Sequence, residues 1–227
     1  AGMASREGFG GHFHNENSLS SLRDVPGLVL GVPCRGDDAV AMMRTMAALA
    51  KVDGRTCVSV EPIALFRTRD LYEPGDGRWC FPLPPEGQAI DLGEVGVYEP
   101  DGDGKPALTL LSYGPGVLLA LRARRLLAAN GIVARVVDLR WIAPLPVEAI
   151  RAHALATGNV VVVDEARESG SVSEAIAAVL MDDPTTRSVG FARVCGADSF
   201  VPLGRAAALV LPTEAEVVEA ARKLVRG

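Results

Sequence analysis

Residues 107–139 read ALTLLSYGPGVLLALRARRLLAANGIVARVVDL, and this stretch decides the fold because it holds one complete folding unit. Residues 107–113 form an apolar run of strand length, closed by a Gly114-Pro115-Gly116 turn. From Leu119 onward the apolar Leu119, Ala120, Ala123, Leu126 and Leu127 share one helical face, while Arg122, Arg124 and Arg125 point elsewhere. Asn130-Gly131 supplies a left-handed stop, and residues 133–139 read as a second strand rich in β-branched side chains. Strand, helix and strand in this order predict two parallel strands with a crossover helix covering the sheet.

Downstream the alternation continues. Residues 140–146 read as a loop, and residues 147–156 as a helix carrying His153 on a solvated face. Residues 159–164 form a four-valine buried strand ending in Asp164-Glu165. Ser171-x-x-Glu174 has the spacing of a capping box, residues 189–195 read as a further strand, and Thr213-x-x-Glu216 opens a final amphipathic helix. About four strands alternating with helices predict a largely parallel, doubly wound sheet.

Upstream, residues 28–32 and 57–60 read as strands flanking a helix that runs from Asp37 and Asp38 to about Ala50, with Met42, Met43, Met46 and Leu49 on its packed face. This is a second strand–helix–strand unit, too small to form a domain alone. Residues 67–106 are punctuated by proline and glycine, with short strand character near Ala89-Ile90 or Val95–Tyr98, and read as a tether pinned to a surface by Trp79 and Phe81. The domain plan is therefore 1–66, a linker at 67–106, and 107–227.

Length and composition bound the function. A chain of 227 residues, 48% hydrophobic, can bury one large α/β core or two small ones. Its formal charge of −5 and its lack of any basic run give no electrostatic case for nucleic acid. Cys34, Cys57, Cys80 and Cys195 form no C-x-x-C pair and read as reduced thiols of a cytoplasmic protein. No apolar run reaches the ~20 residues a membrane helix needs. The glycine-rich opening at residues 8–17 holds His12 and His14 beside Phe9 and Phe13; histidine suits proton transfer near neutrality, and a plain surface loop is the alternative. The sequence is expected to start inside a domain. Gly114-Pro115-Gly116 is too short for a dinucleotide fingerprint, and Pro115 removes an N–H that an anion site would use. Asp138 and Asp164-Glu165 fall at strand carboxyl ends, where they read as caps or subunit contacts ahead of ligand groups.

Several segments resemble one family. Residues 10–33, GGHFHNENSLSSLRDVPGLVLGVP, and residues 57–62, CVSVEP, are similar to the active-site histidine loop and the following strands of thiamine-diphosphate-dependent 2-oxo acid dehydrogenases. Residues 108–146, with S-Y-G, A-x-x-L-x-x-x-x-G, V-x-D-L-R and I-x-P-L, resemble the transketolase C-terminal domain of those enzymes, and residues 162–174 and 193–198 continue the match. The resemblance is to the β subunit, or β-like half of a fused chain, of the decarboxylating component of the pyruvate or branched-chain type. It implies an α/β fold made of a partial pyrimidine-binding domain followed by a doubly wound, mostly parallel transketolase C-terminal-like domain. It further implies thiamine diphosphate with magnesium as cofactor, completed by an α-type subunit or upstream half, and association through the C-terminal domain with a second copy and a lipoyl acyltransferase core.

By the same resemblance His14 takes the position of the histidine that handles protons and orients the acyl group for transfer to lipoamide. Phe13 stands where relatives often have tyrosine. His14-Asn15-Glu16-Asn17 replaces the common H-S-Q-S. The turn from Ala50 through Asp53 to Arg55 matches one that holds potassium through backbone carbonyls in some relatives. The alternative is a non-catalytic assembly fragment that binds the other half of the enzyme and the acyltransferase core.

Overall fold

The computed structural model describes residues 18–102 and 104–226, which build two parallel-rich sheets. A short helix α1 (Leu19–Arg23) precedes strand β1 (Val29–Gly31), helix α2 (Gly36–Val52) and strand β2 (Cys57–Ser59), with β1 and β2 parallel as the strand–helix–strand pattern requires. Asp37 and Asp38 occupy the first turn of α2 and Lys51 its last, matching charge to the helix dipole. Met42 and Met46 are buried against β1, but Met43 is exposed on the opposite side, so the packed face is narrower than the sequence pattern implies. Gly31 leaves room for both methionines: a Cβ there would stand 2.4 Å from the Met46 methyl and 2.8 Å from that of Met42.

The proline- and glycine-rich stretch contributes β3 (Gly96–Tyr98), which runs antiparallel on the outer side of the second sheet. Trp79 and Ile90 are buried, and Arg44 of α2 donates to the carbonyls of Pro84, Pro85 and Gln88. Then follow β4 (Leu108–Ser112), α3 (Pro115–Ala128), β5 (Ala134–Asp138), β6 (Trp141–Ala143), α4 (Val147–Thr157), β7 (Asn159–Arg167), α5 (Val172–Asp182), β8 (Gly190–Gly196) and α6 (Glu214–Arg226). The second sheet has the order β3-β5-β4-β7-β8, and its last four strands are parallel. Helices α3 and α6 pack on one face, α4 and α5 on the other, which is the doubly wound arrangement. Helix α3 begins at Pro115, a favoured first position, earlier than its apolar periodicity shows. It stops at Gly131, whose φ of +76° lets Ile132 N–H turn back to the Leu127 carbonyl.

Two local expectations change. Thr213 and Glu216 form the reciprocal capping box, at 2.8 Å and 3.3 Å. Ser171 and Glu174 do not: Glu174 accepts from Gly170 N–H, Ser171 Oγ pairs with Ser173 Oγ, and the first turn of α5 is capped by Asp164 from the sheet. The larger correction is at residues 141–143. They are a strand, not a loop, and β6 pairs antiparallel with β1 of the first sheet, giving the order β2-β1-β6. Arg140, at φ +57°, turns the chain out of the second sheet, so that the two sheets share covalent and hydrogen-bonded connections.

One consequence is a continuous core. Leu30, Val32 and Val60 of the first unit pack in one cluster with Leu111, Val137, Leu139 and Ile142, while Trp141 is fully buried against Val29, Met42 and Met46. Among the described residues no helix is long and apolar enough to cross a membrane. Replacing Trp141 by alanine is expected to lower the unfolding free energy by about 3–5 kcal/mol, read from urea denaturation; a loss below about 1 kcal/mol would show that the first unit does not rest on this side chain.

Candidate functional site

Parallel sheets present ligands at the carboxyl ends of their strands, above all where the strand order reverses. In the second sheet that reversal lies between β4 and β7, and it is filled by protein. Tyr113 donates its hydroxyl to Asp164 Oδ1 at 2.5 Å; the same carboxylate accepts Ala166 N–H at 3.0 Å and Ser173 N–H at 2.9 Å. Both side chains are fully buried. Gly116 packs so closely that a Cβ would stand 2.4 Å from Ser112 Oγ and 3.1 Å from the Val163 carbonyl. Asp164 is thus a tertiary cap for α5. Burial raises its pKa against the hydrogen bonds that oppose the shift, with the Tyr113 hydroxyl first among them.

The carboxyl ends of β1 and β2 are open by contrast. A cleft of about 390 Å³ lies there, between the bend that follows β1 and Glu61-Pro62 after β2. Phe66, Trp79 and Phe81 form its aromatic lining. Trp79 and Phe81 meet edge to face at 5.2 Å, and the Arg35 guanidinium lies 3.8 Å from the centre of the Phe81 ring while pairing with Asp37. Trp79 Nε1 donates to the Cys34 carbonyl at 3.1 Å, which fixes the indole at the cleft wall.

Beneath the cleft is a buried polar cluster. Cys34 donates its thiol to Asp138 Oδ2 at 2.9 Å, and Asp138 Oδ1 accepts Arg140 N–H at 3.0 Å. The Arg140 guanidinium forks onto Asp38 at 3.0 Å and 3.1 Å and reaches Glu94 at 3.3 Å. Burial pushes the Asp138 carboxyl up to about 6, against the Cys34 and Arg140 hydrogen bonds. Burial, and then Asp138, push the Cys34 thiol well above its ordinary range. Burial also raises Asp38 although Arg140 opposes it, and burial followed by Cys34 and Asp138 raises the Tyr98 phenol.

The sites expected from sequence fare differently. Phe13 and His14, with His12, lie outside the described residues. Ala50 sits in the last turn of α2, and Asp53 and Arg55 follow it; Asp53 and Arg55 N–H both donate to the Leu49 carbonyl at 3.1 Å. Gly54, at φ +64°, makes that turn. His153 is half-buried instead of solvated: its Nδ1 stands 3.3 Å from Arg135 Nη1, and burial with the Arg135 charge lowers its pKa. The Cys34–Asp138–Arg140–Asp38 cluster has little signature along the chain, since its Cys34–Asp138 and Asp38–Arg140 bonds join residues more than a hundred positions apart. The one sequence signal was the V-x-D-L-R run.

Asp138 binds its proton more tightly folded than unfolded. It therefore stabilises the fold relative to its ionised form below about pH 4, and that advantage is lost as pH rises towards 6; the full difference is about 3 kcal/mol. Asp138→Asn removes this contribution. The variant is expected to show a smaller fall in urea midpoint between pH 4 and pH 7 than the native chain; an unchanged fall would mean that Asp138 ionises normally.

Comparison with known proteins follows the same outline. Residues 99–217 match the family described as transketolase, C-terminal domain. The β subunit of the pyruvate dehydrogenase E1 component of Bacillus subtilis is 32% identical over 144 residues, covering 63% of this chain and 43% of that subunit. The corresponding subunit of Staphylococcus epidermidis is 31% identical over 141 residues, covering 62% and 42%. The chain thus spans less than half the length of the curated relatives it matches. A solved structure described as a split gene transketolase, inactive beta4 tetramer, superposes with a TM-score of 0.67 at 23% identity, over 95% of this chain and 63% of that one, which shows a shared fold.

Proposed function

This chain belongs to the transketolase C-terminal domain family, and on that footing we propose that it is the β-like part of a thiamine-diphosphate-dependent 2-oxo acid dehydrogenase, working in the cytoplasm. The observation that carries the reading is its similarity, over more than 140 residues, to β subunits of the pyruvate dehydrogenase E1 component. In the reaction the 2-oxo acid loses carbon dioxide, its acyl carbon is oxidised, and the disulfide of lipoamide is reduced as it takes the acyl group. Thiamine diphosphate supplies the electron sink for decarboxylation when bound. This chain contributes one wall of the site, with His14 moving protons and orienting the acyl group, and Phe13 beside it.

We assign the diphosphate and magnesium to an α-type subunit or upstream half; among the described residues no group of three or more His, Cys, Asp or Glu is placed to hold a metal ion. The partners in this reading are that α-type part, a second copy through the C-terminal domain, and a lipoyl acyltransferase core. Potassium at the Ala50, Asp53 and Arg55 carbonyls would brace the end of α2, since such a site needs only oxygen ligands. Reconstituted with its partner, cofactor and magnesium, the protein is expected to acylate a lipoyl domain. His14→Ala should slow that step by about 10²–10⁴ and leave the circular dichroism and melting temperature unchanged. Acyl transfer at the native rate would overturn the role of His14. No acylation of a lipoyl domain by the native assembly, with stable association intact, would favour an assembly module.

A further inference from the structure

The bend between β1 and α2 is gripped from the second sheet at three points. Val32 N–H donates to the Arg140 carbonyl at 2.7 Å, the Cys34 thiol donates to Asp138, and Asp38 receives both arms of the Arg140 guanidinium. Cys34, Asp38, Asp138 and Arg140 are 3%, 5%, 0% and 9% exposed, so these bonds form away from competing water. Asp138 also holds Arg140 in its own unusual backbone state: Oδ1 takes the N–H of the residue two positions on, and a side-chain-bearing residue at φ +57° persists only where its surroundings fix it. Room for the guanidinium is built in as well. A Cβ on Gly96 of β3 would lie 3.3 Å from Arg140 Cζ.

What the grip holds is the cleft. Between its anchored residues the bend carries Arg35, and the Cys34 carbonyl is the acceptor for Trp79 Nε1. We propose that Asp138 and Arg140 are positioning residues: acting through Val32, Cys34 and Asp38, they set the shape of the cleft at the carboxyl ends of β1 and β2. Asp138 reaches the cleft lining through its bond with the Cys34 thiol, and Arg140 acts on the bend through Val32 and Asp38. A lysine at position 140 keeps the charge but lacks the planar fork that meets both oxygens of Asp38. The latch is a property of the fold and does not depend on which reaction the cleft serves.

The test leaves Cys34 as the sole thiol, by Cys57→Ala, Cys80→Ser and Cys195→Ala in the full chain, and follows its labelling by a thiol reagent at pH 8 across low urea. With the latch intact, labelling should be slow and should rise steeply with urea, as expected when only global unfolding exposes the thiol. Arg140→Gln should speed labelling by at least ~10-fold and make it nearly independent of urea, because a local opening exposes little surface. Leu180→Ala, a buried core residue of α5 that makes no part of the Asp138 and Arg140 contacts, is the control: it should speed labelling while keeping the steep urea dependence. If Arg140→Gln fails to fold, Arg140→Lys and Asp38→Asn give the same reading, each loosening the bend without removing every charge. Arg140 variants that label at the native rate, or that behave as Leu180→Ala does, would overturn the proposal. Substrate and cofactor are absent from this readout, so it fails or succeeds separately from lipoyl acylation.

Discussion

A guanidinium taken out of water has to be met by oxygens in its own plane, and in this chain that demand fixes how the two sheets join. Arg140 leaves the end of β5 and finds Asp38 in the first turn of α2, with Glu94 at its outer edge. Buried ion pairs add little net stability over an apolar packing, because desolvation offsets attraction, but breaking one strands a charge and costs several kcal/mol. The pair therefore acts mainly on geometry. With Arg140 held, the chain reverses, β6 lies antiparallel on β1, and Trp141 enters the space between β1 and the methionines of α2.

That junction also determines which part of the molecule is open. The reversal point of the second sheet is closed by Tyr113 and Asp164, whose hydrogen bonds are spent on α5 and on the strand end. The corresponding ends of β1 and β2 keep a cleft with aromatic walls and a cation at its rim. The larger sheet closes its own reversal point, whereas the smaller one carries an open cleft at its strand ends.

Sequence legibility followed contact range. The unit β4–α3–β5 could be read almost whole, because apolar runs, helical periodicity and the Asn130-Gly131 stop are all local signals. The parallel pairing and the helices on both faces followed from the alternation of elements. Strand β6 was not legible: three residues carry no useful periodicity, and their partner lies more than a hundred positions upstream. Ser171-x-x-Glu174 misled because spacing alone cannot show that Asp164 already occupies the helix end. His153 and Met43 missed in opposite directions, one tucked against Arg135 and one turned to solvent, since faces at the edge of an apolar stripe are decided by tertiary neighbours. For the site, Asp138 was visible as a residue at a strand end, but its bond to Cys34 was not.

The most direct measurement is a double-mutant cycle on Asp38 and Arg140, using Asp38→Asn, Arg140→Gln and the pair, with stabilities taken from urea unfolding of the full chain. If this contact joins the sheets as described, the two residues are coupled by about 2–3 kcal/mol, each single change being nearly as damaging as both together. Additive effects, with a coupling below about 0.5 kcal/mol, would mean that apolar packing and the backbone pairing of β1 with β6 join the sheets and that the fork is incidental.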